Sequence, residues 1–167
     1  NRPIVLAVPS LVNPAHILDL RPQNSLLRYL REHDLHPLLL NWGWPDEEQG
    51  FDLNDYLEKR LLPLIAECSA YFNKPITLLG YCMGGTLAVA ATQLASQYVD
   101  RLALLATPWD FHADGDGPIT IMQNCAEQFE PMMQAEGVLK AEALQLLFAS
   151  LDPTLVDRKF RDFADME

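Results

Sequence analysis

The stretch that decides the fold is Gly80-Tyr81-Cys82-Met83-Gly84-Gly85, which lies between an apolar run and a segment rich in small residues. A cysteine flanked by glycines, after a buried strand and before a helix, is the pattern of a nucleophile elbow. Glycine is needed two positions before and after the nucleophile, because a side chain there would collide with the neighbouring strand and helix. Buried cysteines are commonly inert, but this strand–turn–helix setting predicts that Cys82 is a nucleophile held in a strained turn.

The turn also predicts where a negatively charged intermediate would be stabilised. At the start of the following helix, the helix dipole and the free N–H groups favour a thiolate and an oxyanion. The backbone N–H of Met83, the residue after the nucleophile, is the expected first oxyanion donor. The second donor is expected in the loop from Pro9 to Asn13, which follows the first strand, and Asn13 is the candidate there.

Strands and helices alternate through the first two thirds of the chain. Helical segments are predicted after Asn24 or Ser25, over 55–72 with a kink or break at Pro63, and over 86–98. Alternation of this kind implies a parallel sheet with helices on both faces, joined by right-handed crossovers. We therefore predict an α/β-hydrolase-type sheet, truncated after its fourth strand. The predicted strands are residues 4–8, 38–42, 76–79 and 101–106.

The character of the sequence changes after Trp109. A loop with glycine and aspartate leads into segments with helical periodicity and several methionines, and no further strand is predicted. A helical insertion after a sheet strand commonly covers the site of such a domain. We therefore expect residues 1–109 to form the N-terminal part of the core and residues 110–167 to form an incomplete helical cap segment.

Composition excludes several classes of function. The chain has 167 residues, with 12 Lys and Arg against 23 Asp and Glu, a formal net charge of −11. Such a chain repels phosphate backbones, so nucleic acid is not an expected partner. No apolar run is long enough to span a membrane, and the first residues, Asn1-Arg2-Pro3, run straight into an apolar segment without a signal peptide's cleavage region. Three cysteines without paired spacing argue against disulfides and a zinc site, and indicate a cytoplasmic protein.

Six blocks of sequence carry a resemblance to a known family, in the family's order. On these blocks, the chain resembles the poly(3-hydroxyalkanoate) synthases. The Ile-Leu-Asp-Leu-x-Pro block together with a cysteine elbow is far more specific for this family than the elbow alone. The blocks are Pro9-Ser10-Leu11-Val12-Asn13, Ile17-Leu18-Asp19-Leu20-Arg21-Pro22, Asn41-Trp42-Gly43-Trp44-Pro45-Asp46, Asp55-Tyr56, the elbow from Leu79 to Thr86, and Leu104-Leu105-Ala106-Thr107-Pro108 with Asp110-Phe111.

The resemblance implies an acyl transferase that polymerises hydroxyacyl groups taken from coenzyme A thioesters. Each acyl group would be carried on Cys82 and then passed to the hydroxyl of another hydroxyacyl unit. Coenzyme A enters as part of the substrate, and no cofactor or metal is expected. The resemblance also implies a homodimer or a partner subunit, and contact with the surface of a polymer granule.

The family's general base is a histidine, oriented by an aspartate, and both are expected beyond residue 167. None of the chain's own histidines fits the role well, although His112, near Asp110 after the fourth strand, is the best placed. His16, His33 and His36 are expected to be loop or surface residues. The chain is therefore expected to be a partial catalytic domain that is inactive by itself.

Two alternatives to the polymerising enzyme remain open. One is a thioesterase or depolymerase-like hydrolase of the same fold, in which water takes the acyl group from Cys82. The other is a non-catalytic, truncated relative that binds a partner subunit or a polymer granule. The cysteine elbow is common to all three interpretations, so it does not decide between them.

Overall fold

A computed structural model of the chain describes residues 2–44, 50–113, 115, 117–151 and 154–164. The chain divides into two compact units. The first comprises residues 1–44 and 50–109, and the second comprises residues 45–49 and 110–167.

The first unit contains a parallel sheet of four strands, in which the second strand along the chain lies at one edge, followed by the first, the third and the fourth. This confirms the predicted fold class, and all four predicted strands are present. The second strand begins earlier than predicted and includes Pro37, which an edge strand tolerates because its outward N–H needs no partner in the sheet. The sheet strands are β1 (Ile4–Val8), β4 (His36–Leu39), β5 (Ile76–Tyr81) and β6 (Val99–Leu105).

A two-stranded antiparallel hairpin, absent from the sequence prediction, connects β1 to the first helix. It pairs β2 (Asp19–Arg21) with β3 (Asn24–Ser25). Both strands are short and largely exposed, so they lack the apolar runs from which the other strands were predicted. The Oγ of Ser25 accepts the N–H of Arg28 at 3.0 Å and begins α1 (Leu26–Glu32), as its sequence predicts.

The helical segment before β5 changes its hydrogen-bond pattern where a kink or break was predicted. It runs as α2 (Leu53–Tyr56), a π-helical turn (Leu57–Leu61) and α3 (Leu62–Phe72). Pro63 lacks the N–H that an α-helix uses and crowds the carbonyl four residues earlier. The π-helical turn ahead of Pro63 accommodates the proline without interrupting the helical segment. In this turn, the N–H of Leu62 donates to the carbonyl oxygen of Leu57.

The centre of the sheet is packed on both faces, as the wholly apolar strand β1 requires. On one face, alternate residues of β1 and β5 meet α3 and α4 (Met83–Leu94) in the main core. On the other face, Ala7 packs with Leu18 and with Leu27 of α1. The period of two along each strand therefore divides the apolar side chains between two cores. The main core includes Ile4, Leu6, Val8, Leu61, Ile65, Ile76, Leu78, Leu87, Ala88 and Ala91.

The regular secondary structure among the described residues of the second unit is helical. It consists of α5 (Gly117–Glu136), α6 (Ala141–Leu151) and α7 (Leu155–Ala164), and α5 contacts α6. Pro131 lies inside α5. No strand occurs in the described part of 110–167, which agrees with the sequence prediction for this segment. The expectation that these helices cap a site stays a prediction.

Candidate active site

Cys82 lies at the junction of β5 and α4, at the carboxyl end of the sheet. It precedes the first residue of α4 and has φ 53° and ψ −129°, a conformation that residues other than glycine rarely adopt. Its N–H donates to the carbonyl oxygen of Leu105 at 2.9 Å, and its own carbonyl accepts the N–H of Gly85 at 2.8 Å. The surrounding structure therefore holds the half-buried Cys82 in a strained turn, as an elbow requires.

The glycines around Cys82 are required by close packing. A Cβ on Gly80 would come closer than 3.0 Å to the Cα of Gly85 in α4. A Cβ on Gly84 would collide with the carbonyl oxygens of Val8 and Pro9 at the end of β1. The elbow is thus compressed between α4 and the backbone after β1, in agreement with the steric reason given for these glycines.

The segment after β6 contacts the other side of the same helical turn. A Cβ on Gly85 would collide with the hydroxyl of Thr107, and Thr86 Oγ1 donates to the carbonyl oxygen of Pro108 at 3.1 Å. Ala106 enters this segment with φ 50°, a second left-handed conformation at a residue that is not glycine. Thr107 Oγ1 is buried and has no partner among the described residues. The start of α4 is therefore held between the segments that follow β1 and β6.

The predicted oxyanion loop lies at the end of β1, against the elbow. The indole Nε1 of Trp42 donates to the carbonyl oxygen of Pro9 at 2.9 Å. Ser10 is completely buried, and its Oγ accepts the N–H of Val12 at 3.1 Å. Asn13, the residue proposed from sequence as the second donor, is exposed. Sequence reasoning identified this loop but missed the Ser10 bond, although serine two residues before an amide is a known turn-forming signal.

Met83 opens α4, which gives its N–H the position expected of the first oxyanion donor. Three of the four histidines lie in the first unit. His33 Nδ1 lies 2.8 Å from the carbonyl oxygen of Tyr29, and His36 is at the amino end of β4, opposite the end that carries Cys82. His16 is exposed in a 3₁₀ turn after β1. In the first unit, no described contact joins a histidine to Cys82.

The Asp110–His112 pair lies in the second unit and is joined through the backbone. The N–H of His112 donates to Asp110 Oδ1 at 2.9 Å, which is a local turn. The described hydrogen bonds contain none between this carboxylate and the imidazole ring. The geometry therefore supports a structural role for Asp110 within its loop.

The remaining cysteines differ from Cys82 in their setting. Cys68 packs against the main core from α3, and burial, aided by the nearby Glu67, raises the pKa of its thiol. Cys125 lies in α5 of the second unit. Among the residues that the structure describes, no group of three or more His, Cys, Asp or Glu side chains is arranged to hold a metal ion. In the same residues, no helix combines the length and apolar character needed to cross a membrane.

The parallel sheet and its strained elbow define an α/β-hydrolase, and comparison with known proteins agrees. Residues 32–144 match the family described as alpha/beta hydrolase fold. The chain belongs to this family. Within it, the sequence groups with the poly(3-hydroxyalkanoate) polymerases, which confirms the resemblance found in the sequence blocks.

Three curated relatives carry the name poly(3-hydroxyalkanoate) polymerase subunit PhaC. The protein from Haloarcula marismortui is 32% identical over 89% of this chain, and the one from Haloferax mediterranei is 30% identical over 98%. The protein from Synechocystis is 30% identical over 97% of the chain. The matched segments cover 32%, 34% and 45% of these relatives, so this chain spans less than half of their length.

Solved structures support the fold. The mature form of the lipase BlEst2 from Bacillus licheniformis has a TM-score of 0.58 and 18% identity, covering 99% of this chain and 60% of the lipase. NosK from Streptomyces actuosus has a TM-score of 0.53 and 22% identity, covering 96% of this chain and 67% of NosK. At these identities, the similarity concerns the fold alone.

Proposed function

We propose that this chain carries the nucleophile of an acyl transferase that polymerises hydroxyacyl groups from coenzyme A thioesters, and that Cys82 holds each acyl group covalently. The observation that carries the proposal is the geometry of Cys82. It lies at the end of a central strand, in a left-handed conformation, ahead of the first turn of α4. A structural cysteine has no need of that conformation, which costs about 1–3 kcal/mol.

The loading step is a thioester exchange. The Cys82 thiolate attacks the thioester carbonyl, the new carbon–sulfur bond forms, and the bond to the coenzyme A sulfur breaks. The departing coenzyme A thiolate then takes a proton from solvent. Because one thioester replaces another, the exchange is close to balanced in energy and the acyl group stays activated. The negative charge on the carbonyl oxygen would be stabilised by the Met83 N–H and by a donor in the loop from Pro9 to Asn13.

The transfer step makes an ester. The hydroxyl oxygen of another hydroxyacyl unit attacks the acyl-Cys82 carbonyl, its proton passes to a general base, and the Cys82 thiolate leaves. We propose that the base and its orienting aspartate come from sequence outside these 167 residues. The described contacts offer Cys82 no histidine, and the matched segments cover less than half of the length of the first curated relatives. The chain is then part of a catalytic domain that loads acyl groups but does not transfer them.

Further parts of the proposal rest on the relatives and on composition. The hydroxyacyl-CoA is the substrate, no cofactor takes part, and the protein acts in the cytoplasm at the surface of a polymer granule. A second copy or a partner subunit completes the assembly. The three cysteines without disulfide partners suit a reducing compartment.

Coenzyme A release from 3-hydroxybutyryl-CoA tests the proposal. Loading needs only a thiolate, so this chain should release one equivalent of coenzyme A, and Cys82→Ala should release none. Cys68→Ala is the matched control, because it removes a thiol from the core side of α3 and should load like the parent chain. Equal release by the parent chain and Cys82→Ala would contradict the proposal.

The products distinguish the related hydrolase. Continued release with accumulation of free 3-hydroxybutyrate would mean that water takes the acyl group, as in a thioesterase. Release limited to one equivalent, with the acyl group retained on the protein, is the result expected for this chain. Binding of a granule or a partner without any release of coenzyme A would indicate a non-catalytic relative.

A further inference from the structure

Ser10 is a polar side chain buried at the point where β1 meets the elbow. Its exposed fraction is 0%, and its Oγ accepts the N–H of Val12 at 3.1 Å. A serine that binds the amide two residues later closes a tight turn, with Leu11 here at the apex. A buried hydroxyl costs free energy unless it is hydrogen-bonded, so this bond keeps the turn in one conformation.

The turn is fixed on both sides. Its preceding residue, Pro9, lies against Gly84 in the first turn of α4, so closely that a Cβ on Gly84 would collide with the Pro9 carbonyl oxygen. The same carbonyl accepts the indole N–H of Trp42 at 2.9 Å. The Ser10 turn is therefore attached to the elbow that presents Cys82.

The Ser10 bond also decides which amides of the loop remain available. Pro9 has no N–H, and the N–H of Val12 is occupied by Ser10 Oγ. In the part of the chain that the structure describes, the N–H groups of Leu11 and Asn13 donate to no acceptor. Of the two, Leu11 is closer in sequence to Pro9, which lies against Gly84, and Leu11 is at the apex of the turn.

We infer that Ser10 is a positioning residue: it fixes the loop so that the Leu11 N–H serves as the second oxyanion donor for acyl transfer at Cys82. The inference rests on the proposed function and replaces Asn13 by Leu11 as the donor. An oxyanion donor typically contributes a factor of about 10²–10³ in rate. Loss of the Ser10 hydroxyl leaves the Leu11 amide present but less well held, so the expected loss is roughly tenfold or more.

The test compares two reactions of the same thiol. Acylation by a p-nitrophenyl ester forms an oxyanion, whereas alkylation by iodoacetamide attacks a saturated carbon and forms none. Both rates are measured at one pH in a chain with Cys68→Ala and Cys125→Ala, so that Cys82 is the remaining cysteine. Ser10→Ala should slow acylation roughly tenfold or more and leave alkylation unchanged. Ser10→Thr, which keeps the hydroxyl, should retain both rates.

Three results would overturn the inference. Ser10→Ala could acylate at the parent rate, its acylation and alkylation could fall by the same factor, or Ser10→Thr could lose as much acylation as Ser10→Ala. If Ser10→Ala does not fold, as judged by its melting curve, the Ser10→Thr result decides: loss of acylation with intact alkylation excludes a role of the hydroxyl. Adding Cys82→Ala to the same background distinguishes failure of the proposed function, because acylation that persists there is not reaction at Cys82.

Discussion

The N–H of Cys82 donates to the carbonyl oxygen of Leu105 at 2.9 Å, so the proposed nucleophile is hydrogen-bonded directly to the end of β6. This bond extends the pairing of β5 with β6 by one residue beyond Tyr81, into the elbow. The turn is thereby fixed by the sheet as well as by α4.

At position 82, glycine should give a more stable fold than alanine, which is the reverse of their usual order. At φ 53° and ψ −129°, a Cβ is strained, whereas glycine is not. We expect Cys82→Gly to be more stable than Cys82→Ala by about 1 kcal/mol, measured by thermal or denaturant unfolding. An alanine variant as stable as the glycine variant would show that the elbow is not strained.

The two glycines in the first turn of α4 should differ in whether their substitution can be rescued by a second substitution. Gly84→Ala meets the backbone oxygens of Val8 and Pro9, which cannot move without displacing β1. Gly85→Ala meets the side chain of Thr107 instead. Each should lower the free energy of unfolding by about 1–3 kcal/mol or more.

Addition of Thr107→Ala should restore much of the stability lost by Gly85→Ala and none of that lost by Gly84→Ala. Gly117→Ala is the matched control, because no atom lies near its added Cβ, and it should be neutral. Rescue of both glycine variants, or of neither, would contradict the assignment of their neighbours. The measurement is denaturant unfolding of each single and double variant.

The hydrogen bond from Thr86 to Pro108 should contribute to stability more than a similar bond within one helix. Thr86 Oγ1 links α4 to the segment after β6, whereas Thr92 Oγ1 donates at 2.7 Å to the carbonyl of Ala88 in its own helix. Thr86→Val should lower the free energy of unfolding by about 1 kcal/mol, and Thr92→Val should lower it by less. If denaturant unfolding gives equal losses of stability for the two variants, the Thr86–Pro108 hydrogen bond stabilises the fold no more than a bond within one helix.

Cys68 should make the fold less stable in alkali. Burial is the main cause that raises the pKa of its thiol above the ordinary 9.0, so the unfolded chain loses this proton at a lower pH than the folded chain. The contribution to stability is complete below the unfolded pKa and is lost as the pH rises through it towards the folded pKa. Cys68→Ala should flatten the dependence of unfolding free energy on pH above about 9. An unchanged slope would contradict the assignment.

Much of this architecture could be predicted from the sequence because each parallel strand contains a short apolar run, which is longest relative to the strand in β1. The elbow was equally visible, since the close packing at Gly80 and Gly84 leaves a fixed pattern of glycines. The β2–β3 hairpin could not be predicted, because short exposed strands carry no apolar signal. The early start of β4 was missed because Pro37 usually ends a strand, and only its edge position permits it.

The candidate site was predicted less completely, because it depends on contacts between segments that are distant in sequence. Nothing in the sequence shows that Thr107 faces Gly85 or that Trp42 binds the carbonyl of Pro9. The Ser10 turn is local and could have been proposed from its spacing. The burial of Ser10 beside the elbow could not have been predicted, because this burial depends on how β1 packs against α4.

The central claim, that Cys82 carries the acyl group, is tested most directly by peptide mapping after incubation with 3-hydroxybutyryl-CoA. Because the proposed base for the transfer step lies outside these 167 residues, the acyl group should remain on the chain long enough for mass spectrometry. We predict one 3-hydroxybutyryl group on the peptide that contains Cys82, and none on any peptide of Cys82→Ala. An acyl group on Cys68 or Cys125, or a parent chain that stays unmodified while it releases coenzyme A, would contradict the claim.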